Sequence, residues 1–269
     1  MKAAEPALRV GSERRDHEHG GRAGASVDPV WSCPRRHSVA EENVPPEITT
    51  VTLRSRLYAV NCYLLKGDAG FVLIDTGLAT RRAELEGALE AAGCRPGDLR
   101  LIVITHGDAD HAGNGAHLRA RYGTPIALHR AEWRAVEQGN MRLSRGDMTF
   151  LRGTVAGLLF RFAGLRPCDR FEPDLALEEG DDLSGHGLAA RALHLPGHSQ
   201  GSMGILTADG DLFCGDLLTN LGEPKPNSLV DSPADLATSV ARLRALEIGT
   251  VYPGHGGPFR MDSLATGTT

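Results

Sequence analysis

The sequence predicts an α/β protein. Short apolar runs of strand length, rich in Val, Ile and Leu, recur along the chain, and stretches with apolar residues at helical spacing lie between them. A third observation is chemical: histidines and aspartates follow several of those runs directly. With 269 residues, 41% hydrophobic and 23% charged, the chain is long enough for one sizeable core, and one main domain is the natural count.

Residues 1–44 are rich in Arg, Glu, His, Gly and Ser and lack apolar periodicity, so a disordered arm is expected there, with the folded domain at 45–269. His17, His19 and His37 belong to this solvated arm. The arm has no apolar core of a signal peptide, and no later stretch approaches the ~20 apolar residues of a membrane span, so no membrane partner is expected. A net charge of −5 and a pI near 6.1 leave no basic footprint for nucleic acid. Cys33, Cys62, Cys94, Cys168 and Cys214 form no Cys-x-x-Cys pair. Free thiols in a reducing compartment, the cytoplasm, are the reading that follows.

In chain order, 48–54, 57–65 and 70–74 read as an opening meander of three strands. Leu85, Ala88, Leu89 and Ala92 give a helix over 80–92, with Thr80 as N-cap and Gly93 as its stop. The β-branched run 101–104 suits a buried parallel strand, 111–122 has helical spacing, and 125–129 is a further strand. A helical insertion at about 130–173 follows, with Met148, Leu151, Val155, Leu158, Leu159 and Phe162 on one face. A lid over a substrate pocket, a helix packed on the core and a homodimer contact are the readings open for it. Its arginines make no sustained basic stripe, so a membrane-surface helix is not expected. Strands return at 188–195, 202–207 and 211–214, the last two joined by the turn Ala208-Asp209-Gly210. Ser232 and Pro233 open a helix carrying Leu236, Val240, Leu243 and Leu246, and 250–252 is the final strand.

The chemistry centres on Thr105-His106-Gly107-Asp108-Ala109-Asp110-His111, two imidazoles and two carboxylates at a strand-to-helix turn. An irregular turn can aim such residues at two neighbouring cations, and this donor mixture suits zinc, iron or manganese. Further candidates follow apolar runs at His198, Asp216 and His255. Cys214, two residues before Asp216, would share its face on a regular strand, and reads as a buried structural thiol. His117 and His129 read as surface residues or as supports of the site.

Together with Asp75-Thr76-Gly77, these ordered motifs resemble the metallo-β-lactamase-fold superfamily over about residues 48–260. The resemblance implies an αββα sandwich. It implies one metal held by His106, Asp108 and His198, a second held by Asp110, His111 and His255, and Asp216 bridging them. Asp75 resembles a residue that orients the metal loop through hydrogen bonds without being a ligand. The usual first motif of the family is His-x-His-x-Asp-His, and here Asp108 replaces the second histidine. An oxygen donor there hardens the first site: two divalent ions are implied, zinc overall, with iron or manganese admitted by Asp108. The resembling flavodiiron proteins carry Glu at this position and bind iron.

The resemblance also implies hydrolysis. A metal-bound hydroxide, oriented by Asp110 as the catalytic carboxylate, would attack an ester, thioester or lactone carbonyl of a small-molecule substrate. The alternatives are an iron-dependent oxidoreductase resembling the persulfide dioxygenases, and a non-catalytic metal-binding protein. The loop 222–228, including Lys225, carries no recognised specificity code.

Overall fold

The computed structural model describes residues 45–143 and 169–265. The expected arm at 1–44 and the apolar face from Met148 to Phe162 lie outside the described residues, as do Cys33 and Cys168.

Among the described residues the first sheet has strands β1 (Glu47–Arg54), β2 (Ala59–Gly67), β3 (Gly70–Ile74), β4 (Leu99–Val103), β5 (Ile126–Leu128) and β6 (Leu175–Ala176), paired in that order. β1 to β3 are antiparallel, and β3 to β6 are parallel. The second sheet holds β7 (Ala190–His194), β8 (Met203–Thr207), β9 (Asp211–Asn220), β10 (Pro224–Pro226), β11 (Thr250–Gly256) and β12 (Phe259–Arg260). Its order is β12-β11-β9-β8-β7, with β10 pairing on β9. Helices α1 (Arg82–Ala91), α2 (Gly115–Tyr122), α3 (Trp133–Gln138) and α4 (Pro233–Arg244) complete the described elements, with short 3₁₀ turns.

Side-chain alternation builds the layers, because successive strand residues face opposite ways. In β2, Cys62 and Leu64 pack with Leu85, Leu89 and Leu118 of α1 and α2, whereas Tyr63 and Leu65 face the other sheet. In β4, Ile102 goes to the helix side while Leu101 and Val103 go to the inter-sheet core. Ile205 and Phe213 meet them from β8 and β9; Leu206 and Leu212 turn outward onto Leu236, Val240 and Leu243 of α4. Helix, sheet, sheet and helix follow one another: the expected αββα sandwich.

The elements differ from the sequence reading at informative places. The first helix begins at Arg82 after a 3₁₀ turn at Ala79–Arg81, so Thr80 lies inside that turn and is not the N-cap. The second begins at Gly115 instead of His111, because the amides of His111 and Ala112 both donate to the Asp108 carbonyl and close an irregular turn. Over 130–143 the chain makes two 3₁₀ turns around the short α3. β9 runs on past Cys214 to Asn220, and β12 follows the strand expected to be last. Ser232 accepts from the Asp235 amide at 3.2 Å and caps α4, with Pro233 first in the helix.

Candidate metal centre

Four imidazoles define the site. β4 ends at Val103, and the turn after it carries His106, Asp108, Asp110 and His111. His198 follows β7, while Asp216 and His255 project from within β9 and β11, where the pairing of those strands slips register around Pro253. Both sheets therefore feed one end of the sandwich.

All seven residues expected as ligands come together. His106, Asp108 and His198 form one group whose donor atoms lie within 4.8 Å of each other; Asp110, His111 and His255 form another. A third group, His106, His111 and Asp216, lies between them. The carboxylate of Asp108 is 3.4 Å from His106 Nε2 and 3.3 Å from His198 Nε2. Asp216 Oδ1 is 3.2 Å from His111 Nε2, and its Oδ2 is 3.2 Å from His255 Nε2 and 3.8 Å from His198 Nε2. Asp110 Oδ2 is 3.5 Å from His255 Nε2.

Each ring is turned by what its other nitrogen touches. His198 Nδ1 lies 2.6 Å from the Leu229 carbonyl and His255 Nδ1 lies 2.6 Å from the Ala59 carbonyl. A carbonyl only accepts, so both rings carry a proton on Nδ1 and turn Nε2 inward. His111 Nδ1 donates to Asp75 Oδ2 at 2.8 Å in the same way. Thr105 Oγ1 donates to Asp75 and so accepts from His106 Nδ1, at 3.0 Å. Histidines that bind metals are oriented by such partners. His106 Nε2, His111 Nε2 and Asp216 Oδ1 are buried and make no hydrogen bond with one another despite these short separations. Polar atoms left so in the interior fit a shared cation, which would satisfy all of them.

The charges agree. Burial opposes a positive His255, but Asp216 and Asp110 outweigh it and raise its pKa to about 9. His111, also opposed by burial, is raised well above the imidazole range by Asp216 and Asp75. Burial would lift Asp216, yet His255 and His111 hold it well below the carboxylate range. The ring attracts positive charge strongly enough to overcome desolvation.

Asp75 itself is a buried residue with φ of 60°, and it accepts from the Thr105 amide and hydroxyl as well as from His111. Asn61 and Tyr63 of β2 donate to the Pro253 carbonyl and hold the turn carrying His255; Asn227 donates to the Asp216 carbonyl.

Cys214 does not share the Asp216 face. Gly215 has φ of 51° and sits at the register shift, so Cys214 packs among the residues facing α4 while Asp216 turns to the histidines. A Cβ on Gly215 would lie 2.6 Å from Thr105 Oγ1, so only glycine lets β9 approach the metal turn this closely. His117 pairs with Glu86 at 2.8 Å and His129 stacks on His194, both outside the three groups. Lys225 is exposed and pairs with Glu223.

Besides Asn61 and Tyr63, Tyr58 and Glu132 escaped the sequence reading. The Tyr58 hydroxyl is buried without a hydrogen-bond partner, its ring edge-on to His255 at 5.7 Å. Burial, then Asp110, Asp216 and Asp108, push its pKa up, so the phenol keeps its proton beside the carboxylates. Glu132 is fully buried behind the metal turn. A lone Tyr at a strand start and a Glu in a helical stretch give no sequence signal of such roles.

An αββα sandwich with an imidazole and carboxylate centre fed by both sheets is the architecture of the metallo-β-lactamase fold. The sequence model of the metallo-beta-lactamase superfamily matches residues 55–255, and the chain belongs to that superfamily as a hydrolase of its fold. It is 28% identical over 224 residues to the acyl-coenzyme A thioesterase MBLAC2 of Gallus gallus, covering 76% of this chain and 75% of that protein. It is 29% identical over 161 residues to the hydroxyacylglutathione hydrolase GloC of Haemophilus influenzae, covering 59% of this chain and 66% of that one. Among solved structures, TTHA1623 in a di-iron-bound form superposes with a TM-score of 0.59 at 29% identity, over 80% of this chain and 95% of that chain. No helix among the described residues is long and apolar enough to cross a membrane.

Proposed function

We propose that this chain hydrolyses an ester, thioester or lactone carbonyl of a small molecule, with two divalent cations at the seven residues. The observation that carries the proposal is the common orientation of four histidines, each with Nδ1 engaged and Nε2 turned inward around Asp216. His106, Asp108 and His198 would hold one cation, and Asp110, His111 and His255 the other, with Asp216 between. Bound there, such ions supply Lewis acidity and lower the pKa of a water to about 7. Asp110, beside Tyr58 and His255, orients the attacking water. Tyr58 holds a proton within the same space. A thioesterase and a hydroxyacylglutathione hydrolase among the relatives support acyl chemistry. Zinc is the occupant we assign overall, with Asp108 admitting iron or manganese at the first site. Free, buried Cys62, Cys94 and Cys214 support a cytoplasmic setting.

The test is a panel of thioesters, lactones and β-lactams offered to protein of measured metal content. Turnover of an acyl substrate that is lost on chelation and regained on zinc or manganese addition is the expected result. Turnover that survives complete metal removal would overturn the proposal, and oxygen uptake that requires Fe(II) would replace it with the oxidoreductase.

A further inference from the structure

Glu132 ends the 3₁₀ turn Arg130–Glu132 and has no exposure to solvent. Its carboxylate receives three donors. Gly107 N donates to Oε2 at 2.9 Å; Ser199 Oγ at 2.7 Å and Gly201 N at 3.0 Å donate to Oε1. Gly107 stands between His106 and Asp108, and Ser199 follows His198. One carboxylate thus ties together the two loops that carry His106, Asp108 and His198.

We infer that Glu132 is a positioning residue that sets the separation of these loops and thereby the geometry of the first metal site. The inference rests on the metallohydrolase reading for the cation, while the clamp stands on hydrogen bonds alone. Three donors and no acceptor converge on it, so an ionised carboxylate matches the site and an amide does not: a Gln would set its NH₂ against at least one of them. The backbone is shaped to the same purpose. A Cβ on Gly201 would fall 2.6 Å from Glu132 Cγ, closer than side chains pack, and one on Gly107 would fall 3.0 Å from Oε2, a tight fit, so both loops approach the carboxylate closely. Since Ser199 Oγ gives its proton to Glu132, Ser202 Oγ donates to Ser199 Oγ at 2.8 Å and accepts from Ser199 N at 3.0 Å. The chain of bonds fixes the turn after His198. The second site has separate supports, Asp75 under His111 and the Asn61 and Tyr63 side chains under the His255 turn, so the clamp acts on one site of the two.

Zinc titration of the full chain against a competing dye, with the number of bound ions counted by native mass spectrometry, tests this. Wild type should show two sites. Glu132→Gln should weaken one of them by about 10–100-fold and leave the other unchanged, the scale known for residues that orient metal ligands. Ser199→Ala, which removes one donor of three, should weaken the same site to a smaller degree and carries the test if Glu132→Gln does not fold. Leu85→Ala, at a buried residue of α1 packed on the first sheet, serves as the comparison for general destabilisation and should leave both affinities as they are. Equal weakening of both sites by Glu132→Gln, or no weakening by either Glu132→Gln or Ser199→Ala, would overturn the inference alone. A wild type that takes up no zinc, manganese or iron would overturn the functional reading first.

Discussion

Asp75→Asn separates the tautomer of a ligand from its position. The change is nearly isosteric, and Asn tolerates the φ of 60° found there. The Asn oxygen can still accept from the Thr105 amide, 2.8 Å from Asp75 Oδ1, and from its hydroxyl, so the turn should keep its shape. The amide nitrogen would then face His111 Nδ1 at the 2.8 Å now spanned by the carboxylate. It donates where Asp75 accepts, which moves the imidazole proton to Nε2 and blocks the atom that faces Asp216. The lost bond to a charged group costs about 1.5–3 kcal/mol of apoprotein stability. Metal affinity at the second site should fall by about 10–100-fold, or about 1.4–2.7 kcal/mol. The first site should be spared, because Thr105 Oγ1 still orients His106. Two-step zinc titration reads both sites. Wild-type affinity at both sites would refute the reasoning.

Other outcomes follow from the same geometry. Asp108→Ala should deplete the first site more than the second, and Asp108→His should keep two ions while shifting preference toward zinc; identical metal counts and preferences in wild type and both variants would sink the ligand assignment. For the apoprotein, His255 is raised from 6.5 to about 9, so its contribution to stability is fully present below pH 6.5 and is lost as pH rises to 9. That contribution is on the order of 3 kcal/mol. Metal-loaded protein should show the reverse trend in affinity, because protons must leave before the cation binds, and melting curves of the two forms should diverge with rising pH. Tyr58→Phe removes a buried oxygen without a partner, so Tm should hold or rise while kcat falls by about 10-fold or more; an unchanged kcat would exclude the phenol from the reaction.

The αββα layering was legible because strands covered on both faces read as short, nearly unbroken apolar runs, as β4 and β8 do, with stretches of helical spacing between them. The seven polar residues were legible because histidine and aspartate stand out against apolar runs. What escaped depends on backbone. The His255 and His198 rings are turned by the carbonyls of Ala59 and Leu229, whose side chains say nothing about it. β9 was cut short at Cys214 because the positive φ of Gly215 rotates the strand without ending it. The strands β6, β10 and β12 have two or three residues, too few to show a period. Glu132 was hidden because its three partners, Gly107, Ser199 and Gly201, are distant in sequence and two of them act through backbone amides.

The residues proposed as ligands are drawn from both sheets, and this would tie catalysis to the integrity of the whole fold. A cation held by His106 and His198, or by His111 and His255, is a rivet between the two halves of the chain. Ions present at about 1,000 times their Kd add about 4 kcal/mol to folding stability, a large part of the margin by which a domain of this kind stays folded. Removing them with a chelator should therefore loosen the seam between the sheets at the same moment that it stops the proposed hydrolysis. Hydrogen exchange at Met203, whose amide donates to the Thr105 carbonyl across that seam, would report the loosening separately from the loss of activity.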